Sequence, residues 1–164
     1  MSTERRSGIG YDAHRFSDAG GALVLGGIEI PGERGLEGHS DADALAHAVM
    51  DALLGAAGLG DIGEHFPDDD PSFAGADSIG LLEQVRRVLA EPGWRIVNVD
   101  VSVIAERPRL APYRDQMARR LAAAAAVDPT CVNVKATTNE GMGSIGRGEG
   151  IAVLAVAQIE RDSE

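Results

Sequence analysis

Alternating apolar and polar residues predict strands in the second half of the chain. In residues 97–103 a valine stands at every second position, which is the period of a half-buried strand. Residues 132–137 alternate in the same way, and residues 151–159 are almost entirely apolar. These three segments are the clearest strand candidates.

Shorter apolar runs predict three more strands near the N-terminus. Residues 8–13 and 22–30 have strand character, and a turn at 17–21 separates them. The glycine pair at 26–27 divides the second run into two strands, and the Pro- and Gly-containing segment 31–35 ends it.

Apolar residues three and four positions apart predict three helices. The first runs from about Ser40 to Ala57, the second starts at Asp77 or Ser78 and closes at Pro92, and the third spans about 112–127. Loops are predicted at 61–71, 105–111 and 139–150 by the Gly, Pro and Asp content of these segments.

The order of these elements, βββααβαββ, predicts an α/β (α+β) fold. We expect a single domain over 1–164, with one mixed β-sheet packed on one side by helices. A chain of 164 residues with 44% apolar residues is long enough to bury a core. The ends, 1–7 and 160–164, are expected to be flexible.

Charge and cysteine usage narrow the partners and the compartment. The net charge of -11 argues against nucleic acid or an anionic membrane as the main partner. Cys131 is the only cysteine, so no intramolecular disulfide can form. The chain has neither a signal-like apolar segment near its start nor an apolar run of 18 residues, so we expect a cytoplasmic protein.

The first helix carries a narrow polar stripe. Ser40 followed by Asp43 resembles a capping box, which predicts that Ser40 caps the helix. Asp43, His47 and Asp51 then fall at i, i+4 and i+8 on one face. On a mostly apolar helix, such a stripe is expected to face water or a site.

Asp12, His14 and His47 form a candidate metal-binding set. Asp12 and His14 are two positions apart, so on a strand both point to the same side. With His47 they give two imidazoles and one carboxylate with one coordination position open, which suits a catalytic zinc. The same set can hold non-haem iron, and a chance pairing of these residues remains an alternative at this point.

Seven blocks of the sequence stand out when they are read together. They are Gly10–His14, His39–His47, Asp51–Ala57, Gly60–Gly63, Phe66–Asp68, Val132–Thr138 and Gly146–Ile151. In their order and spacing, they resemble the 2-C-methyl-D-erythritol 2,4-cyclodiphosphate synthase family of the non-mevalonate isoprenoid pathway. The likeness runs from about residue 8 to residue 159.

The resemblance implies an activity and an assembly. Enzymes of this family convert 4-diphosphocytidyl-2-C-methyl-D-erythritol 2-phosphate into 2-C-methyl-D-erythritol 2,4-cyclodiphosphate and release CMP. The implied assembly is a homotrimer with active sites between subunits. It further implies one zinc ion per subunit, Mg²⁺ or Mn²⁺ as a second cation, and a prenyl diphosphate on the trimer axis.

Residue by residue, the resemblance puts zinc on Asp12, His14 and His47. Glu140 matches a ligand of the second cation, although by itself it reads as a solvated loop residue. The catalytic residues implied are His39 and Thr138, which stabilise the transition state. Ser40, which could equally be a plain helix cap, matches a phosphate contact, as do His39 and Thr138.

The substrate-binding residues implied by the resemblance fall in five groups along the chain. They are Asp12, Ala13, His14, His39 and Ser40; then Asp61, Ile62, Gly63, Phe66, Pro67, Asp68, Asp69 and Asp70; then Ala105, Glu106, Arg107, Pro108, Arg109, Leu110 and Ala111; then Thr137, Thr138, Asn139 and Glu140; and finally Ser144 and Arg147. Phe66 to Asp70 and Asp61 to Gly63 line the methylerythritol part, and residues 105–111 receive the cytosine through their backbone.

The sequence departs from the family at one position. The residue before Ile145 is often aromatic in the family and narrows an apolar cavity on the trimer axis, whereas here it is Ser144. Arg147 and Glu149 match polar residues near that axis. We read Lys135 as structural or as a residue that supports the site from behind its substrate contacts, and His65 as a loop or interface residue.

Two alternatives to the synthase activity follow from the same residues. A zinc phosphohydrolase would need a general base beside the metal, and Asp43 or Asp51 is the candidate. The other alternative is a non-enzymatic trimer that binds isoprenoid phosphates in a central cavity.

Overall fold

Four strands form one mixed sheet in the computed structural model, which describes residues 2–162. The described residues contain six strands in all: β1 (Thr3–Arg15), β2 (Ala22–Leu25), β3 (Ile28–Arg34), β4 (Arg95–Ile104), β5 (Val132–Thr137) and β6 (Gly150–Asp162). Their order in the mixed sheet is β1-β6-β4-β5, with β6 antiparallel to both neighbours and β4 parallel to β5. The predicted mixed sheet is confirmed, while β2 and β3 pair separately as a hairpin.

All three predicted helices are present: α1 (Ala44–Ala57), α3 (Ser78–Ala90) and α4 (Arg114–Ala125). The loops predicted at 61–71 and 139–150 were partly wrong, because each contains one helical turn, α2 (Ile62–His65) and α5 (Gly143–Gly146). The turn of α2 forms because the Asp61 carboxylate accepts a hydrogen bond from Glu64 N at 3.0 Å. Within the described residues, none of the helices has both the length and the apolar character that crossing a membrane requires.

Two glycines let α1 lie directly on β1. A Cβ atom on Gly10 would stand 1.8 Å from the carbonyl oxygen of Ala48, and one on Gly8 would stand 2.1 Å from that of Ala52. Any side chain at these positions would therefore push the helix away from the sheet. This close approach sets the distance between the residues of β1 and those of α1.

The start of α1 corrects the capping prediction. Asp43, not Ser40, is the N-cap, and its Oδ1 accepts from Ala46 N at 3.0 Å. The same carboxylate also accepts from Gly26 N at 2.8 Å and Gly27 N at 2.7 Å, which ties the β2–β3 turn to the helix. Asp43 is fully buried, and burial raises its pKa to about 6. Asp43 therefore faces neither water nor the site, so the prediction that the polar stripe does so was wrong for this residue.

The ends of the described chain pair with each other. Thr3 stands opposite Asp162 in the β1–β6 ladder, so residues 3–7 and 160–162 belong to paired strands. The flexibility expected of 1–7 and 160–164 stays a prediction. Residues 1, 163 and 164 lie outside the described residues. At the other hairpin, β3 continues through Pro31 to Arg34, past the predicted end.

The face of β1 and β6 that points away from α1 is apolar and exposed in the single chain. Ile9 pairs with Val156 across the strands, and Tyr11 pairs with Leu154. Their exposures are 66%, 46%, 59% and 39% in that order. Adjacent exposed apolar side chains of this size mark an interaction surface.

Candidate active site

Asp12 and His14 stand side by side on the edge strand β1. Being two residues apart, they project from the same face of the strand, as predicted. His14 Nε2 lies 2.8 Å from Asp12 Oδ2, and both side chains are about four-fifths shielded from solvent. On its other side, His14 Nδ1 contacts the Glu37 carbonyl oxygen at 2.5 Å, which fixes the orientation of the ring.

His47 completes the set from the neighbouring helix. Its Nδ1 lies 3.1 Å from Asp12 Oδ2, and the centroids of the two imidazole rings are 5.6 Å apart. One potential ligand atom from each of the three residues lies within 4.8 Å of the others. The trio that the spacing proposed is therefore confirmed as a group able to hold a metal ion.

The three groups perturb one another electrostatically. Burial alone would raise the pKa of Asp12, but hydrogen bonds with His14 and His47 outweigh it and lower the pKa to about 2. The hydrogen bond with Asp12 raises the pKa of His14 above its usual value, although burial opposes this. Asp12 is therefore anionic at neutral pH and ready to bind a cation.

The trio lies at one side of a cavity of about 260 Å³. The same cavity is lined by residues predicted to contact substrate, namely His39, Ser40, Ile62, Gly63, Phe66 and Asp68. Its other lining residues are Gly38, Met50, Phe73, Ala74 and Leu81. Phe66 and Phe73 meet edge to face with centroids 5.3 Å apart, which gives an apolar wall to the cavity that the polar trio also lines.

The segment 61–70 contributes only some of its predicted residues to this cavity. Within the described chain Asp61, Pro67, Asp69 and Asp70 are not among the lining residues. Asp61 caps α2 and Asp70 caps the following turn, where it accepts from Ser72 N at 2.9 Å. Their contacts with substrate remain predictions.

Ser78 and Asp41 belong to the surroundings of His47, and the sequence analysis missed both roles. Ser78 Oγ lies 3.0 Å from His47 Nε2, and Ser40 Oγ lies 3.1 Å from the same atom. Ser78 also donates from Oγ to Asp41 Oδ1 and from its backbone N to Asp41 Oδ2. The only signal in the sequence was a polar residue at a helix start, which reads as a cap.

A second group of predicted residues lies outside the cavity. Glu106 Oε1 accepts from Asn139 N at 3.0 Å and from Gly141 N at 3.2 Å, so segment 105–111 adjoins segment 137–141. Thr138 Oγ1 lies 3.3 Å from Glu140 Oε1. Glu140 has φ of 52°, a strained conformation for a residue with a side chain. None of residues 105–111 or 137–140 lines the cavity of this chain.

The remaining predicted positions have simple local contacts. Ser144 is exposed on α5, and Arg147 Nε donates to Glu149 Oε1 at 2.6 Å. Lys135 pairs with Asp100 at 2.6 Å across the parallel strands β4 and β5. The ring of His65 contacts the Leu59 carbonyl oxygen at 2.8 Å, which ties α2 to the end of α1.

Comparison with known proteins places the chain in a family. The model of the YgbB family matches residues 5–160. The chain belongs to the YgbB family. A relative named 2-C-methyl-D-erythritol 2,4-cyclodiphosphate synthase, from Symbiobacterium thermophilum, is 60% identical over 152 residues, which cover 93% of this chain and 96% of the relative. The resemblance read from the sequence is confirmed.

Solved structures agree with the family assignment. The bifunctional IspDF of Campylobacter jejuni superposes with a TM-score of 0.94 at 42% identity, covering 99% of this chain and 44% of that one. IspF of Plasmodium falciparum, solved as a CDP complex, gives a TM-score of 0.83 at 30% identity and covers 97% of both chains. The fold is thus shared along the whole described chain.

Asp43 and Asp51, the candidates for the general base of a phosphohydrolase, do not line the cavity of the described chain. Asp43 is fully buried and accepts three backbone hydrogen bonds away from the cavity. Asp51 accepts from Ile62 N at 2.8 Å and, within the described chain, is not among the residues that line the cavity. Neither carboxylate is placed to activate water beside the trio, so that interpretation of the two residues was wrong.

Proposed function

We propose that this chain converts 4-diphosphocytidyl-2-C-methyl-D-erythritol 2-phosphate into 2-C-methyl-D-erythritol 2,4-cyclodiphosphate and releases CMP. The observation that carries the proposal is the Asp12, His14 and His47 trio beside a cavity, in a chain of the YgbB family. The relative from Symbiobacterium thermophilum bears the name of this activity.

Zinc fits the donor set of the trio. Two imidazole nitrogens and one carboxylate oxygen are ligands that a catalytic zinc takes, with a fourth position left for substrate. Asp12 is already anionic, and the ring of His14 is held by the Glu37 carbonyl oxygen. When bound there, zinc polarises a phosphate oxygen and neutralises part of its charge.

The reaction needs no side-chain nucleophile. An oxygen of the substrate's own 2-phosphate forms a bond to the β-phosphorus, and the bond from that phosphorus to the bridging oxygen breaks. CMP leaves with the bridging oxygen. Holding both ends of one molecule in reach contributes about 7–11 kcal/mol.

This chain's residues bind and orient the phosphates. His39 and Ser40 line the cavity next to the trio, so both can donate hydrogen bonds to phosphate oxygens. The aromatic wall of Phe66 and Phe73 excludes water from the methylerythritol part. Exclusion of water favours cyclisation over hydrolysis of the same diphosphate.

We further propose a homotrimer whose active sites lie between subunits. Two observations support it: the apolar face of Ile9, Tyr11, Leu154 and Val156 is uncovered, and segments 105–111 and 137–140 lie outside the cavity. In a trimer, these segments of one subunit meet the cavity of the next. Thr138 would then stabilise the transition state, Glu140 would hold Mg²⁺ or Mn²⁺, which would neutralise phosphate charge, and the backbone of 105–111 would receive the cytosine.

Phosphorus NMR with the cytidylylated substrate tests the activity, with zinc and magnesium added. We expect the cyclic diphosphate and CMP in equal amounts. A linear phosphate product would indicate a hydrolase, and an unchanged substrate with a bound prenyl diphosphate would indicate a binding protein. We expect the purified protein to sediment as a trimer, and the cytoplasm is the expected compartment.

A further inference from the structure

One nitrogen of His47 has two hydroxyl groups beside it. Ser78 Oγ lies 3.0 Å from His47 Nε2 and Ser40 Oγ lies 3.1 Å from it. The other ring nitrogen, Nδ1, points at Asp12. Distances alone do not distinguish the two serines, but their other hydrogen bonds do.

The hydroxyl proton of Ser78 is already committed. Ser78 has no exposed surface, and its Oγ donates to Asp41 Oδ1 while its backbone N donates to Asp41 Oδ2 at 3.0 Å. A hydroxyl has one proton. Towards His47, Ser78 Oγ can therefore act only as an acceptor, so Nε2 must carry the hydrogen.

We propose that Asp41 and Ser78 are positioning residues for the metal ligand His47. Their chain of hydrogen bonds keeps a hydrogen on Nε2. The hydrogen that gives way when a metal binds is therefore the one on Nδ1, which bonds Asp12 in the metal-free chain, and the lone pair left on Nδ1 is directed at the site. The inference rests on the proposed metal site at Asp12, His14 and His47. A carboxylate that acts through a second group on a ligating histidine orients the ring and raises its basicity.

The hydroxyl proton of Ser40 is not used in its contact with His47. Because Nε2 carries a hydrogen, Ser40 cannot donate to it. Ser40 Oγ accepts from Ala42 N at 3.3 Å, and its own proton has no acceptor in that contact. Since Ser40 lines the cavity, this proton is available to a phosphate oxygen of the substrate. The two serines beside one nitrogen thus have different tasks.

Zinc affinity of two matched variants separates these tasks. In Ser78→Ala we expect zinc affinity, measured by chelator competition, to fall about 10- to 100-fold. In Ser40→Ala we expect zinc affinity within about threefold of the unmodified chain, with turnover reduced instead. Equal affinity of Ser78→Ala and the unmodified chain, or a loss confined to Ser40→Ala, would overturn the proposal.

Asp41→Asn and the double variant test whether the effect runs through Ser78. The amide of Asn can donate to Ser78 Oγ and turn its proton towards His47, so we expect zinc affinity to fall at least about tenfold. In the double variant with Ser78→Ala, the second change should add little. Fully additive losses would show that Asp41 acts by another route and would overturn the chain.

A spectroscopic readout distinguishes positioning from general destabilisation. In the zinc-loaded trimer labelled with ¹⁵N-histidine, the Nε2 hydrogen of His47 should exchange slowly in the unmodified chain and in Ser40→Ala. It should exchange rapidly in Ser78→Ala. The same exchange in all three contradicts the proposal. If the unmodified chain binds no zinc, the metal site fails with it, whereas failure of cyclisation alone leaves these measurements intact.

Discussion

Asp12 Oδ2 lies 3.1 Å from His47 Nδ1, although the two residues are 35 positions apart in the chain. The contact depends on how closely α1 approaches β1, because one residue stands on each element. Gly8 and Gly10 permit that approach, since side chains there would meet the backbone of Ala52 and Ala48. The candidate metal site is thus a consequence of helix–strand packing.

Replacing His47 by alanine should remove the metal without unfolding the protein. His47 is one of the three side chains proposed as zinc ligands, so we expect zinc affinity to drop by more than about 100-fold and cyclisation to become undetectable. The side chain faces a cavity rather than the core, so little apolar packing is lost. Metal analysis of the purified protein and its unfolding temperature check both parts.

His65→Ala is the matched control for this variant. His65 contacts the Leu59 carbonyl oxygen, its ring lies 6.2 Å from that of Phe66, and it is not among the described cavity-lining residues. It should keep stoichiometric zinc. Full zinc occupancy in His47→Ala would refute the assignment of His47 as a ligand.

As the pH is lowered, zinc affinity should begin to weaken at a higher pH than it would if His14 had the pKa of a free histidine. Zinc needs an unprotonated nitrogen on His14, and the hydrogen bond with Asp12 raises the pKa of His14 above its ordinary 6.5. As the pH is lowered, affinity should therefore begin to fall while the pH is still above 6.5, and it should drop by about tenfold for each further unit of acidification. Asp12, with a pKa of about 2, should not contribute between pH 4 and 8. Chelator competition across this range checks the prediction.

The zinc-free protein should respond with the opposite sign. A raised folded-state pKa means that protonated His14 stabilises the fold below pH 6.5, and this contribution is lost as pH rises through the folded-state pKa. The lowered pKa of Asp12 adds stability above about pH 4, which disappears as pH falls towards 2. Urea unfolding with a chelator present measures both effects, and an Asp12→Asn variant should abolish them.

Two Gly→Ala variants test the packing of α1 on β1. Gly10→Ala places a Cβ 1.8 Å from Ala48 O, so we expect about 3 kcal/mol or more of destabilisation and weaker zinc binding. Gly55→Ala on α1 is the control, because its Cβ would meet nothing closer than Ile9 O at 3.9 Å. That change should stabilise the helix by about 1 kcal/mol. Equal stability of both variants would contradict the close-packing argument.

Local pattern was enough to predict the longer elements and the trio. The valines of β4 and the alternation in β5 fix strand positions, because a strand buried on one face repeats every two residues. The pair Asp12 and His14 follows from the same period, and His47 from its place on a helix. The grouping of all three needed only that β1 and α1 be neighbours.

Long-range hydrogen bonds explain what the pattern could not predict. Asp43 caps α1 because the glycines of the β2–β3 turn donate to it from 16 and 17 positions away, and no local motif contains that information. Ser78 reads as a helix start, yet its hydroxyl joins Asp41 to His47 across 37 and 31 positions. Such contacts depend on the assembled fold, whereas capping rules describe near neighbours.

Glu140→Gln should leave zinc in place and raise the Mg²⁺ or Mn²⁺ concentration needed for turnover. The change removes one carboxylate charge from the proposed second-cation site, whose other ligands would be phosphate oxygens and water. We expect the half-saturating magnesium concentration to rise at least about tenfold, measured by CMP release. Glu83→Gln, on α3, serves as the control. A superimposable magnesium titration of Glu140→Gln would remove Glu140 from the ligand set.

Ser144 and Arg147 should determine how strongly the proposed trimer holds a prenyl diphosphate. A hydroxymethyl group offers far less apolar contact than the aromatic ring common at this position in the family, so we expect weak retention of geranyl diphosphate. Ser144→Phe should bind it about tenfold more tightly, and native mass spectrometry should show one ligand per trimer. Arg147 donates to Glu149 in this chain, and its guanidinium can also donate to a diphosphate. Adding Arg147→Ala to the Ser144→Phe variant should therefore remove an anchor and weaken binding. Equal binding by the unmodified chain and Ser144→Phe would exclude Ser144 as the controlling position, and equal binding after Arg147→Ala would exclude the anchor.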